Sequence, residues 1–370
     1  MALVLILTAF AACGGKDGGQ GSGDTEKESS SENGETVGNG GSDGNQESDK
    51  DNENGGDQSD NGESDKNDGG DQSDNGENDK NDGGDQSDDV GDNNNNVGTD
   101  NGEDEKLYQR DGDYIYFGEY PQSLKAENVT VSALAVKNGY YLGSDGSYYA
   151  KVFASPYDLN GYKFSTGEAV RQNQEYYFKV EPIRWRIISE EDGSAIVLCD
   201  SIINHRAFNV VDLNQENNSY AESTIRAWLV DEFYNTAFDE LQKELIMTVE
   251  VDNSVESTGF SQNPNAGENT NDKVFLLSYK EITNSEYGFG GMYAKDENRI
   301  MKPSDFAIAI GIYMSTSEKT YGDSFWWTRS PNKDNRSAEY CAYLVTSDGS
   351  LFDSGISVSS GIVPALKIKL

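Results

Sequence analysis

From Gly14 to Lys106 the chain contains no phenylalanine, tyrosine or tryptophan, and almost nothing else apolar. A segment of Gly, Asn, Asp, Ser, Glu and Gln cannot offset the entropy of ordering its own backbone, so this stretch is expected to stay a disordered acidic linker. It carries 29 acidic and 6 basic side chains, a net of −23 out of the chain's −37. A fourteen-residue repeat runs through it, with 59–72 matching 73–86 nearly residue for residue. So short a period without a hydrophobic position does not build a solenoid. The repeats also miss a calcium loop. In Asp65-Lys66-Asn67-Asp68-Gly69 the glycine falls one residue early, and no glutamate closes the loop. As a charged coil the linker reaches about 50 Å or somewhat more.

Ahead of it, the apolar run from Ala2 to Ala12 is too short to span a bilayer as a helix and reads as the hydrophobic part of an export signal. Phe10-Ala11-Ala12-Cys13-Gly14 resembles the lipobox of bacterial lipoproteins. It departs from that pattern in Phe10, where leucine is usual, and in having no basic residue before the apolar run. The resemblance implies cleavage and lipidation at Cys13, hence an exported, extracytoplasmic chain anchored to the cell membrane of a Gram-positive bacterium. An ordinary signal with an incidental cysteine is the alternative. The expected organisation is a signal segment over 1–13, the linker over 14–106 and a single globular domain over 107–370. Linker and domain are both acidic and repel phosphate backbones, which argues against a nucleic-acid partner.

Aromatic residues become dense from Leu107 onward. A first strand is predicted over 113–118, closed by Gly118 and a turn at Pro121. Ser144-Asp145-Gly146-Ser147 reads as a hairpin turn between 140–142 and 148–152. Ile183, Trp185 and Ile187 alternate with Arg184 and Arg186, the pattern of a half-buried strand. Asp192-Gly193 turns it into the apolar run 195–199. Ser223 is a fitting N-cap for a helix over 224–234, and Ile225, Trp228 and Leu229 share one of its faces. Asp239 and Gln242 make a capping-box pattern for a second short helix. A strand follows at 273–277, with Ser278 and Glu281 as a cap. Residues 284–298 read as a Gly- and Tyr-rich loop, and Pro303 starts a third helix in its first turn. Strands are predicted at 325–328, 340–345 and 351–352. In the last strand Leu366, Ile368 and Leu370 face one way, Lys367 and Lys369 the other. Many short strands with about three short helices make the domain α+β, with a mixed, mainly antiparallel sheet.

Five segments recur in a recognisable order: Tyr116-Phe117-Gly118-Glu119-Tyr120-Pro121-Gln122, Pro182-Ile183-Arg184-Trp185-Arg186, Ser223-Thr224-Ile225-Arg226-Ala227-Trp228-Leu229, Trp326-Trp327-Thr328-Arg329-Ser330-Pro331 and Gly361-Ile362-Val363-Pro364-Ala365-Leu366. As an ordered set they resemble an uncharacterised bacterial surface-lipoprotein domain, the domain-of-unknown-function family 6273 pattern, over about 114–370. That family is in turn similar to the C-type-lectin-like fold of formylglycine-generating enzymes, so the resemblance implies a lectin-like fold. The chain departs at Val363, where the pattern usually has arginine, and 126–173 is longer than the pattern needs, as an inserted hairpin would be.

Chemistry is sparse. The single histidine, His205, rules out a three-histidine iron site and reads best as a loop or surface residue. No Gly-x-Ser-x-Gly elbow is present within 107–370. Cys199 and Cys341 both fall in predicted strands, and could pair in an exported protein or stay buried thiols. A copper-bound thiol pair, which the formylglycine-generating resemblance suggests, would need cysteines closer in sequence. Asn263-Pro264-Asn265 is a poor echo of a lectin calcium motif, and neither a metal nor a cofactor is expected. Trp326, Trp327, Arg329 and Tyr340 could form a stacking surface for a sugar or peptide, one indole facing out, or could brace the core. Tyr287 and Tyr293, in the Tyr-rich loop, are further ligand-binding candidates. The expected function is non-catalytic binding of an extracellular glycan or protein. A glycan hydrolase with an unnamed Asp/Glu pair and a purely structural surface protein are the alternatives.

Overall fold

The computed structural model describes residues 107–370, apart from Asn160, 211–216, Tyr293 and 334–339. The Cys13 segment and the 14–106 repeats lie outside them. One cluster of buried apolar side chains runs from Ile115 to Ile368. It is enclosed by a nine-stranded sheet, a five-stranded sheet and a two-stranded ribbon of Val249–Val251 and Thr270–Asp272.

The strand Glu175–Glu191 organises the large sheet. Tyr114–Leu124 runs antiparallel along one edge. The other edge is shared: the first part pairs with Tyr148–Phe153, the second with Ser194–Cys199. Ile183 and Trp185 point into the core, as their alternation predicts. Asp192 and Gly193 both have positive φ, 50° and 69°, which makes the tight turn that matches strand twist. Ala365–Lys369 then pairs with Ser194–Cys199, with Leu366 and Ile368 fully buried and Lys369 exposed.

The first strand does not end at Gly118. It continues to Leu124 through a bulge between Tyr116 and Glu119. Gly118 has φ +69°, and a Cβ there would come within 2.4 Å of the Phe238 ring, so the bulge requires glycine. Pro121 is tolerated because Gln109–Asp111 pairs only as far as Tyr116, and among the described residues no strand on that edge pairs beyond it.

The five-stranded sheet has the order Leu351–Gly355, Cys341–Val345, Trp326–Pro331, Ser359–Ile362, Asn204–Ala207. Neither Asn204–Ala207 nor Ser359–Ile362 is legible in sequence, because Asn-His-Arg-Ala and Ser-Ser-Gly-Ile carry no alternation of apolar and polar residues. Among the strand ladders the single parallel pair is Trp326 with Gly361. One ladder joins the two sheets: 194–207 lies alongside 359–369. It breaks at Pro364, which has no N–H to donate. Its carbonyl accepts from Cys199 N at 2.9 Å, and Ile203 N resumes the ladder on Ile362 O at 3.2 Å. Val363, the departure from the family pattern, is fully buried at this joint.

Ser223 caps the first helix by accepting from Arg226 N at 3.3 Å. The helix runs from Thr224–Trp228 through a π turn, Leu229–Phe233, into Tyr234–Ala237. Both halves of the capping box at Asp239 and Gln242 are formed, starting Glu240–Leu245. The third helix, Asp305–Ala309, is capped by Ser304, which accepts from Ala307 N at 3.1 Å. Pro303 stays outside it, bridging Ile202, so the serine takes the role expected of the proline. The described residues are therefore mixed α+β, rich in antiparallel sheet, with three helical segments.

Candidate functional site

The Trp-Trp-x-Arg segment belongs to the core. Trp326–Pro331 is the middle strand of the five-stranded sheet, and all six of its residues are buried. Trp326 and Trp327 are both 0 % exposed and Arg329 is 2 % exposed, so neither indole faces out and the alternative reading, that these residues brace the core, is the one that fits. The reason is that both faces of this sheet are covered. Trp326 Nε1 donates to Arg299 O at 2.9 Å on one side. On the other, Trp327 Nε1 donates to Arg206 O at 3.0 Å, and its ring meets Phe208 edge-on at 5.6 Å. Each indole fills volume while its one donor is satisfied.

Arg329 ties three segments together. Its guanidinium donates to Leu276 O at 2.8 Å, to Asp252 O at 3.0 Å and to the Glu281 carboxylate. Glu281 also accepts from Ser278 N at 2.7 Å, so the cap predicted from sequence is locked onto the central strand. A second buried arginine was not legible. Arg299, 0 % exposed, pairs with Asp296 and donates to Gly291 O and Ala294 O at 3.0 Å. The Gly- and Tyr-rich loop is wound around it, and Tyr287 is half-buried against the core. Tyr293 lies outside the described residues. Arg226 makes a third such contact. It donates to both oxygens of the fully buried Asp272 carboxylate, fixing the first helix to the two-stranded ribbon. What these arginines share is a charge spent on the chain itself.

Cys199 is a free, buried thiol, pushed up to about 12 mainly by burial. It therefore does not pair with Cys341: Cys199 ends a strand of the nine-stranded sheet, and Cys341 opens one of the five-stranded sheet. His205 sits on the edge strand Asn204–Ala207 instead of a loop, half-buried, with Nε2 donating to Ile310 O at 2.5 Å. Burial holds its pKa below the ordinary 6.5, so the neutral ring is favoured. Asn263 and Asn265 serve structure, their amides donating to Pro331 O at 2.9 Å and Asn332 O at 2.7 Å. Among the described residues, no cluster of three or more His, Cys, Asp or Glu side chains is placed to hold a metal.

Among the sequence candidates in the described residues, Tyr340 lines a cleft. That cleft, about 580 Å³, lies within the roughly 300–1,000 Å³ of small-ligand sites. Asn217, Glu222, Asn265, Gly267 and Glu268 line it with the tyrosine. Two of its lining residues, Asn218 and Asn265, are tied into an amide network at the end of the central strand. Asn218 donates to Cys341 O at 2.7 Å, and Asn332 donates to Asp353 at 2.7 Å while accepting from Tyr343 Oη at 3.2 Å. Asn217 donates to Glu222 at 2.7 Å and so orients that carboxylate on the rim. The Tyr340 hydroxyl has no partner among the described residues. A half-exposed ring, amides and two carboxylates thus line one open space.

Residues 192–370 match the model of a family described as a domain of unknown function, DUF6273. The match starts at the Asp192-Gly193 turn and runs to Leu370, so the matched segment contains the five-stranded sheet, the three helical segments of the described residues and the Tyr340 cleft. Residues 107–191, with the bulged first strand and the long strand, precede it. No curated protein and no solved structure matches the chain.

Proposed function

We propose that residues 107–370 form a lectin-like, non-catalytic recognition domain that binds an extracellular glycan in the cleft beside Tyr340. In this reading Cys13 carries a lipid anchor, and the acidic linker holds the domain away from the cell membrane. The observation that carries the proposal is the lining of the 580 Å³ cleft. An aromatic ring offers a face to sugar C–H groups, while amides and carboxylates offer donors and acceptors matched to vicinal hydroxyls. Trp326, Trp327 and Arg329 are buried in the fold, whereas Tyr340 is half-exposed in the lining of a cleft and so able to meet such a ligand. The mainly antiparallel sheet closed by the C-terminal strand supports the lectin-like reading.

A second reading has one specific observation behind it. Glu222 and Glu268 line the same cleft, as two carboxylates of a glycosidase would. Titration calorimetry against a panel of soluble plant and cell-wall oligosaccharides separates the two. Recognition predicts saturable binding that Tyr340→Ala weakens by about tenfold or more, with no turnover of chromogenic glycosides. Turnover that Glu268→Gln abolishes establishes the hydrolase instead. Neither binding nor turnover leaves a structural surface protein and ends the recognition proposal.

A further inference from the structure

A second cleft, of about 250 Å³, opens between the hairpin region that precedes residue 192 and the helices that follow it. One wall is the turn from Lys137 to Tyr140, together with Tyr148. Asn138 and Gly139 have φ of 49° and 81°, and Tyr140 N donates to Lys137 O at 2.7 Å. Two consecutive left-handed residues form the tight hairpin turn that asparagine and glycine favour, so this wall is preorganised. The opposite wall is the end of Tyr234–Ala237 and the capped start of Glu240–Leu245. Glu119 and Val180, from two paired strands of the large sheet, form the base.

The polar groups here are largely unspent. Among the described residues, the Asn138 amide, the Tyr140, Tyr148 and Thr236 hydroxyls, the Glu119 carboxylate and Gln242 Nε2 have no hydrogen-bond partner in the fold. Tyr140 is half-buried, and burial raises its pKa, with Glu119 adding to the rise. Such groups are satisfied by water, and a ligand carrying several hydroxyls reproduces those bonds when it displaces the water. The lining holds one cation, Lys137, against Glu119 and Asp239, so an anionic ligand is disfavoured. The Lys137 ammonium is also drawn to the Tyr148 ring, 5.4 Å from its centroid. The main-chain groups of Lys137 and Tyr140 already bond each other across the turn, so a peptide strand cannot pair with them.

We infer that this cleft binds a neutral saccharide terminus, one or two sugar units, with Tyr140 and Tyr148 against the ring and Asn138, Thr236 and Gln242 on its hydroxyls. The site is distinct from the Tyr340 cleft and holds whether or not that cleft is occupied.

The test is a backbone amide NMR titration of the full chain with neutral disaccharides of glucose, galactose, xylose and N-acetylglucosamine at millimolar concentration. At least one disaccharide is expected to shift amides of 137–140 and 235–242 saturably. The double variant Tyr148→Ala, Thr236→Val should weaken that binding by at least about tenfold. Asn138→Gly keeps the turn and removes only the amide, and should weaken it less. All variants should melt with the parent, and Tyr340→Ala should leave these shifts intact. The inference is overturned if no disaccharide moves these amides, if the double variant binds as well as the parent, or if Tyr340→Ala removes the response.

Discussion

At the residue scale, the arginines separate what serves the fold from what is free to bind. Arg329 is fixed by two carbonyls and a carboxylate, so removing its guanidinium leaves buried acceptors unpaired. Arg329→Ala should cost about 3–5 kcal/mol in denaturant unfolding. Arg329→Lys should recover little of it, since one ammonium cannot reach three diverging acceptors. Tyr340→Ala, on the rim, should cost about 1 kcal/mol or less. Equal losses at the two positions would contradict the division. His205 gives a second expectation. Its folded pKa lies below 6.5, so the unfolded chain takes up the proton first as pH falls. Stability is then complete above about 6.5 and declines below it. Asp200 and Asp323, both raised by burial, have the opposite slope, and so the difference between parent and His205→Gln isolates the histidine. Chemical denaturation at pH 7 and pH 5 should show a smaller loss in the variant. An identical loss rules the histidine out.

At the element scale, turns and caps were readable because their chemistry is local. The Asp192-Gly193 turn, the Ser223 cap and the Asp239/Gln242 box all form as the residues dictate. What escaped were elements decided by distant partners. Gly118 looks like a strand end, yet it is a bulge shaped by the Phe238 ring. Ser359–Ile362 is a strand because it joins Asn204–Ala207 to the central strand, not because of its own residues. A Cβ on Gly361 would come within 2.5 Å of the Phe325 carbonyl oxygen and 2.8 Å of the Ile202 side chain. Gly361→Ala should therefore cost about 1–3 kcal/mol through overpacking at the joint between the sheets. Asp239→Ala, which removes only a cap, should cost about 1 kcal/mol. Thermal melts of the two variants check the order, and a milder effect at Gly361 would remove the argument for a tight joint.

At the scale of the whole molecule, the sequence shows where a core can form but not which aromatics remain outside it. Alternation told the two faces of the Trp326–Pro331 strand apart; it could not show that both faces are covered, because Arg299 and Arg206 reach them from 27 and 121 residues away in the chain. Tyr340 drew notice only as a neighbour of that motif. Its cleft depends on Asn217, Asn265 and Glu268, which no local pattern connects. The fold is thus held by the aromatic motif, and the recognition proposed here lies at its rim. The most direct test is an NMR titration with the oligosaccharide that binds best, following the four tryptophan indole N–H resonances together with the backbone amides. The account predicts shifts at Asn217, Gly267 and Tyr340, while the Trp326 and Trp327 indoles stay in place. Indole shifts at Trp326 or Trp327 with a silent Tyr340 cleft would contradict it.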